Sequence, residues 1–245
     1  FALIQLCSRN SFKNVYLHLF TDGRDSPPTS AALYLKSIRE VIVKEGVGQI
    51  ASLMGRYWAM DRDFRWERTA KAYFALTKGQ GKLVTSLEAA LTDSYSTGKT
   101  DEFIEPCLLA GADGKPLALI KDNDSVIFMN FRIDRPRQLA SAFAFKDFVP
   151  EKMSWGFDPF LVKYTKSHLS QEPQTKSSFE RGPALNNLFF TTMTEYAKPL
   201  AASGVKVAFP PEIVEMPLGR VISEHNLKQL RISESEKERF VTFYF

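Results

Sequence analysis

The stretch Val15-Tyr-Leu-His-Leu-Phe-Thr-Asp-Gly-Arg-Asp25 passes from an apolar run of strand formers straight into a charged turn. Nearly every position from Val15 to Phe20 is apolar, which predicts a strand buried on both faces, as in a parallel sheet. The loop from Thr21 to Thr29 then carries Asp, Gly and two prolines, all turn formers. Ser30 is placed to cap a helix running to about Glu45, with Leu35, Ile38 and Ile42 on one face. Gly46 to Gly48 ends it, and Gln49 to Met54 reads as the next strand. Strand, loop, helix and strand in this order make a βα unit.

The same grammar continues outward. A charged loop from Gly55 to Arg65 leads to a helix from Trp66 to Leu76, where Trp66, Ala70 and Tyr73 form a stripe. Ser86 to Tyr95 reads as helical, and Gly111-Ala-Asp-Gly114 as a turn between extended segments. Val126-Ile-Phe-Met-Asn130 reads as a buried strand, and Pro136 suits the first turn of a helix reaching Phe145. From Pro150 to Pro183 the composition shifts to Ser, Lys, Gln and Pro, as in a surface insertion. Strands follow at Leu188 to Thr192 and Val205 to Phe209, before a natural boundary at Pro210-Pro211. Beyond it come a helix from Pro217 to Glu224, a strand near Gln229 to Ser233, and the apolar run Phe240 to Phe245. The expected class is α/β, a mostly parallel sheet flanked by helices, with a short piece of a second α/β domain after the prolines. The chain opens without Met inside an apolar run that reads as mid-helix, and it stops on a sticky strand-like run. It therefore reads as a piece of a longer protein.

Three buried strands run into short arginine-bearing loops: Thr21-Asp-Gly-Arg-Asp25, Gly55-Arg-Tyr-Trp-Ala-Met-Asp-Arg-Asp63 and Asn130-Phe-Arg-Ile-Asp-Arg135. In open α/β sheets the ligand crevice lies beyond the carboxyl ends of the strands. On one sheet these loops would gather Arg24, Arg56, Arg62, Arg132 and Arg135 around one mouth, a suitable receptor for a small, multiply anionic ligand. The plainer alternative pairs each arginine with a neighbouring carboxylate: Asp22, Asp25, Asp61, Asp63 or Asp134. For one loop that alternative is the better reading; three loops in equivalent positions favour the anion site. Asp25, among arginines, suits a proton acceptor for a bound hydroxyl. Spacing leaves open the alternative in which Asp22 accepts backbone hydrogen bonds in its turn and Asp25 only orients Arg24.

Composition narrows the rest. A net charge of +4 is too small to argue for nucleic acid, and the aromatics among the arginines (Tyr57, Trp58, Phe64, Trp66) suit core packing better than base stacking. No apolar run reaches the roughly 18 residues of a membrane span. Cys7 and Cys107 form no CxxC pair, consistent with a reducing, cytoplasmic compartment. His18, His168 and His225 are isolated, so no metal-ligand cluster is expected, and His18 reads as a hydrogen-bonded core residue. Nucleophile-elbow, Walker and dinucleotide-binding glycine motifs are absent from the sequence.

With those loops quoted, the chain resembles the 2,3-bisphosphoglycerate-independent phosphoglycerate mutases of the alkaline-phosphatase-like superfamily. The matches are His18-Leu-Phe-Thr-Asp-Gly-Arg-Asp25, Gly55 to Asp63 with Arg65-Trp-Glu-Arg68, and Asn130 to Arg135. A fourth is Leu227-Lys-Gln-Leu-Arg-Ile-Ser-Glu-Ser-Glu-Lys237, similar to the family's Leu-Lys-Gln-Leu-Arg-Ile-Ala-Glu-Thr-Glu-Lys run. The chain differs from the usual bacterial pattern in the length of the 150–183 stretch. It also differs in Glu238-Arg-Phe240, which stands where Tyr-Pro-His or similar is expected.

The resemblance implies a glycolytic enzyme that interconverts 3-phosphoglycerate and 2-phosphoglycerate through a phosphoserine. Two ions, usually manganese, would be bound by parts of the protein outside this chain, and 2,3-bisphosphoglycerate would not be needed. It implies that residues 1–209 are the inserted substrate domain and 210–245 the start of the resumed phosphatase-like domain. Arg24, Arg56, Arg62, Arg132 and Arg135 would clamp carboxylate and phosphate, Asp25 would serve as acid and base, and Lys237 would neutralise phosphoryl charge. The expected partners are the small-molecule substrate and the remaining catalytic domain, in a monomer without nucleic acid or membrane. The chain alone is expected to be inactive; a free-standing phosphate-ester receptor is the alternative.

Overall fold

The computed structural model describes residues 1–150, 153, 179–212, 214–233 and 241. Strand β1 (Tyr16–Thr21) lies parallel to β2 (Gln49–Gly55) because helix α2 (Ala31–Glu45) carries the chain back between them. Helix α1 (Ala2–Arg9) precedes β1, and Gly46, at φ 67°, stops α2 in a left-handed cap. Ser30 occupies the cap position of α2, but its hydroxyl donates to the Pro27 carbonyl at 3.0 Å instead of capping. The Asp101 carboxylate takes over, accepting from the Ser30 and Ala31 amides at 2.8 Å each.

The charged loop after β2 is in part helical: α3 (Arg56–Ala59) starts directly on the strand's end, and α4 (Trp66–Lys78) follows. Then come β3 (Lys82–Val84), α5 (Leu87–Ser96), a 3₁₀ turn η1 (Asp101–Phe103) and β4 (Cys107–Leu109). These strands form one sheet in the order β1-β2-β4-β3, in which β4 is antiparallel to β2. The later strands, β5 (Ser125–Phe128), β6 (Phe189–Thr192) and β7 (Lys206–Val207), make a second, wholly parallel sheet in that order. Helices α6 (Arg137–Ala144) and α7 (Lys198–Ala202) accompany it, and α8 (Leu218–Glu224) lies beyond the prolines.

Several expectations change. The architecture is α/β, but two sheets replace the single one. β1 and β5 are edge strands, so Tyr16 and Ile127 are exposed where full burial was expected; β2, in the interior, is buried from Ile50 to Gly55. Leu227 to Ser233 contains no strand, and Leu230 and Ile232 are exposed. Residues 154–178 of the expected insertion lie outside the described residues, as does the terminal run apart from Val241. The end of the insertion is structural and not mere surface decoration. Phe179 is buried against Tyr73 and Phe74, and buried Arg181 donates to the Ala142 and Lys146 carbonyls at the end of α6.

One apolar core joins the two sheets. Met54 and Trp66 from the first half pack with Leu139, Phe190 and Tyr196 from the second, while Leu35, Leu53 and Leu91 close a smaller core under α2 and α5. Phe20 near the end of β1 and Phe128 at the end of β5 have ring centroids 5.9 Å apart. That contact brings the exits of strands from different sheets side by side.

Candidate functional site

Three loops leave this shared end. The first is a tight Asx turn in which Asp22 Oδ1 accepts from the Arg24 and Asp25 amides at 3.3 and 3.2 Å. Gly23, at φ +67°, lets the turn press onto the backbone of Asp101 and Glu102. The second loop begins with Arg56 on α3, only 4% exposed. The third starts from a clamp: the Tyr196 hydroxyl donates toward the Phe128 and Asn130 carbonyls, at 2.9 and 2.6 Å.

The Asp22 turn forms as expected, but Asp25 does not orient Arg24, which pairs with Glu102 instead. Arg56 Nη1 donates to Asp22 Oδ1 and, at 2.9 Å, to Asp25 Oδ2, while Arg132 Nη1 stands 4.0 Å from the same Asp25 oxygen. Arg132 Nε also donates to Asp134 Oδ1 at 2.9 Å, and Arg62 holds the other Asp134 oxygen. Arg135 Nη1 reaches the Met60 carbonyl at 3.5 Å. Arg56, Arg62 and Arg132 therefore pair with carboxylates, and the pairs themselves cluster.

The charges within the cluster do not balance locally. The hydrogen bond and charge of Arg56 hold the Asp25 carboxyl below the usual carboxylate range. Burial works against ionisation of Asp22 and Asp134, but Arg56 and Arg62 respectively outweigh it and keep both carboxyls low. Burial likewise opposes the charge of Arg56, which its bonds to Asp25 and Asp22 more than restore. Arg135 is less well compensated: burial pushes its guanidinium down, and repulsion from Arg62, Arg56 and Arg132 pushes it further than the charge of Asp134 restores. Its Nε, like that of Arg56, is buried without a hydrogen-bond partner. Four guanidinium groups face three carboxylates, leaving positive charge and unused donors where an anion would satisfy both.

Four of the five arginines and Asp25 are thus brought together, though from two sheets and not one. Arg24 is the exception: its side chain is 61% exposed and pairs with Glu102 at 3.3 Å. Lys237 lies outside the described residues. The nearby aromatics pack as core: Trp66 is buried, Trp58 and Phe64 lie against the main cluster, and Arg68 covers the Tyr57 ring at 3.7 Å.

Two supporting residues carry no motif. Asp101 caps α2, accepts from the Tyr95 hydroxyl, and through its backbone carbonyl accepts from Thr21 Oγ1 at 2.7 Å. Gln138, 1% exposed on α6, accepts from the Phe64 amide at 2.8 Å and donates to Asp61 and Thr69 at 3.0 Å each. A polar residue on the otherwise apolar face of a helix was the available signal for Gln138. Asp101 has none, because the amides it caps are 71 and 70 residues away.

His18 is hydrogen-bonded as expected but only partly buried: Nδ1 is 2.7 Å from Ser52 Oγ, and burial lowers its pKa to about 4. Among the described residues no group of three or more His, Cys, Asp or Glu could hold a metal ion. The described residues therefore do not fit the manganese pair that the family resemblance implies. No helix among them is long and apolar enough to cross a membrane.

Comparison with known proteins agrees with the loops. Residues 1–198 match the family model described as the BPG-independent PGAM N-terminus. The chain is similar to the 2,3-bisphosphoglycerate-independent phosphoglycerate mutase of Moorella thermoacetica, 42% identical over 245 residues, covering 100% of this chain and 42% of that protein. The enzyme of the same name from Chloroflexus aggregans is 43% identical over 248 residues, covering 99% and 43% respectively. The chain thus spans less than half the length of these curated relatives. In fold it is similar to a Leishmania mexicana phosphoglycerate mutase crystallised at low cobalt concentration, with a TM-score of 0.72 at 23% identity over 99% of this chain and 40% of that one. With four-fifths of its length inside the family model and its strand-end loops intact, the chain belongs to the BPG-independent phosphoglycerate mutase family.

Proposed function

We propose that this chain holds the glycerate moiety for a mutase that interconverts 3-phosphoglycerate and 2-phosphoglycerate through a phosphoserine intermediate. Residues 1–209 form the substrate-holding domain and 210–245 begin the phosphatase-like domain. The nucleophilic serine and two manganese ions belong to parts of the protein outside this chain. The protein works in the cytoplasm as a monomer.

The observation that carries this reading is Arg135, partly buried, repelled by three other arginines and left with a buried, unpaired Nε donor. A phosphoglycerate brings carboxylate and phosphate oxygens that supply the missing acceptors and the missing negative charge. Asp25, held below the usual carboxylate range by Arg56, is ionised at neutral pH, and its carboxylate takes the proton of the glycerate hydroxyl as that oxygen bonds to phosphorus and the serine O–P bond breaks, and returns it in reverse. Arg62, Arg132 and Arg135 orient the substrate, Arg24 joins them once released from Glu102, and Lys237 neutralises phosphoryl charge.

The test is turnover of 3-phosphoglycerate by the full-length protein in a coupled assay. Arg135→Ala is expected to lower kcat/KM by about 10²-fold or more, the scale of losing one preorganised charge donor. The 245-residue chain alone, with manganese added, is expected to give no turnover and to bind 3-phosphoglycerate no tighter than millimolar. A full-length protein without mutase activity overturns the reading; tight binding by the isolated chain favours a free-standing phosphate-ester receptor.

A further inference from the structure

We infer that Gln138 is a positioning residue that sets the two halves of the guanidinium cluster at their working separation; the inference rests on the mutase reading. One half, Arg62, rides on the segment Asp61–Arg65, and the other, Arg132 and Arg135, leads directly into α6. Besides the part-buried Arg62–Asp134 pair and the Arg135 bond to the Met60 carbonyl, the fully buried side-chain link between them is the Gln138 amide.

The chemistry of that link is specific. Asp61 Oδ2 accepts from the Asp63 and Arg65 amides at 3.1 and 2.9 Å, which curls the segment around a single carboxylate. Gln138 Nε2 then fastens this carboxylate to α6, and its Oε1 takes the Phe64 amide. Phe64 has φ +57°, a left-handed backbone that a bulky side chain adopts only under constraint. The amide thus binds the segment at its strained residue and at its organising carboxylate together. Leucine, methionine or alanine satisfies neither partner, and asparagine is one methylene too short to reach both. Gln138 lies in the first turn of α6 and Arg135 just before that helix, so the start of α6 carries both the amide and the arginine.

The test uses the full-length protein and the variants Gln138→Met and Gln138→Glu, with Arg135→Ala as reference. Gln138→Met keeps volume and removes both hydrogen-bonding functions. It is expected to raise KM for phosphoglycerate and lower kcat/KM by about 10- to 100-fold, the cost of misplacing reacting groups by roughly 1 Å. Gln138→Glu keeps the acceptor for Phe64 but sets a second carboxylate against Asp61, within reach of Asp63, Arg65 and Arg68. When protonated, that glutamic acid reproduces the bonds to Phe64 and Asp61, though not the one donated to Thr69, so its kcat/KM relative to wild type is expected to recover in part as pH falls. The relative loss in Gln138→Met is expected to stay flat across the same range. A folded Gln138→Met with wild-type KM, beside an Arg135→Ala that has lost activity, overturns the inference and leaves the mutase reading standing. Should the full-length protein show no turnover, a crystal structure of Gln138→Met decides the matter. A displaced 61–65 segment supports the positioning role, and an unmoved one overturns it.

Discussion

Gly55 and Glu102 meet backbone to backbone: a methyl group on Gly55 would overlap the Glu102 carbonyl, and the Gly55 amide donates to the neighbouring Ile104 carbonyl at 2.8 Å. Gly55 has an ordinary extended backbone, so space and not conformation demands glycine here. Both arginine loops of the first sheet rest on this spot, because a Cβ on Gly23 would also strike Asp101 and Glu102. Gly55→Ala must push η1 away from the end of β2. It is expected to destabilise the chain by about 2–4 kcal/mol, as overpacking against immovable backbone does, read as a lower urea midpoint at unchanged m-value.

Asp101 is the other half of that support. Asp101→Ala strands the Ser30 and Ala31 amides and the Tyr95 hydroxyl in a buried place, with an expected loss of about 2–4 kcal/mol. Asp101→Asn keeps an acceptor for the helix and is expected to lose only about 1 kcal/mol, and Tyr95→Phe about the same. Equal losses for Ala and Asn in urea unfolding would place the stabilisation in packing and not in the cap.

The strand-loop-helix grammar was legible because hydrophobic period and turn residues are local. The arginine loops were legible for the same reason: each carries its own Gly, Asp and Arg. Two things were not. An apolar run such as Val126 to Asn130 reads as buried whether its strand ends up central or at an edge, so the partition into two sheets was invisible. Pairing across long separations was equally hidden. Nothing near Asp101 says that it caps a helix beginning at Ala31, and nothing near Gln138 names Asp61. Salt bridges and clustering do not exclude one another, since Asp25 shares Arg56 with Asp22 and still lies beside Arg132.

Asp25 owes its low pKa first to the hydrogen bond and charge of Arg56. Arg56→Gln is therefore expected to move the Asp25 carboxyl titration, followed by ¹³C NMR, upward toward the ordinary carboxylate range. A base acts only when ionised, so its activity disappears as pH falls through its pKa. The acid limb of the kcat/KM profile in full-length Arg56→Gln should accordingly lie at higher pH than in wild type. The rate itself is expected to fall by about 10²–10³-fold, since a buried charge is removed from the site. An Asp25 titration that does not move would show that Arg132 alone sustains its charge.

His18 gives a pH dependence of stability with the opposite origin, since burial alone lowers its pKa from 6.5 to about 4. Between those values the unfolded chain binds a proton that the folded chain refuses, so stability rises with pH across this window. The contribution is complete above pH 6.5 and is lost as pH falls toward 4. For this half-buried ring it is expected to amount to about 1–3 kcal/mol, less than the full linkage value. His18→Gln removes the titration and should flatten the urea-unfolding free energy between pH 4 and 6.5 relative to the parent chain. Ser52→Ala removes only the hydroxyl 2.7 Å from Nδ1, which can accept from a neutral or a charged ring. It should lower stability at every pH while leaving the slope in place. A flattened slope in Ser52→Ala would mean that the hydrogen bond, and not burial, keeps His18 neutral.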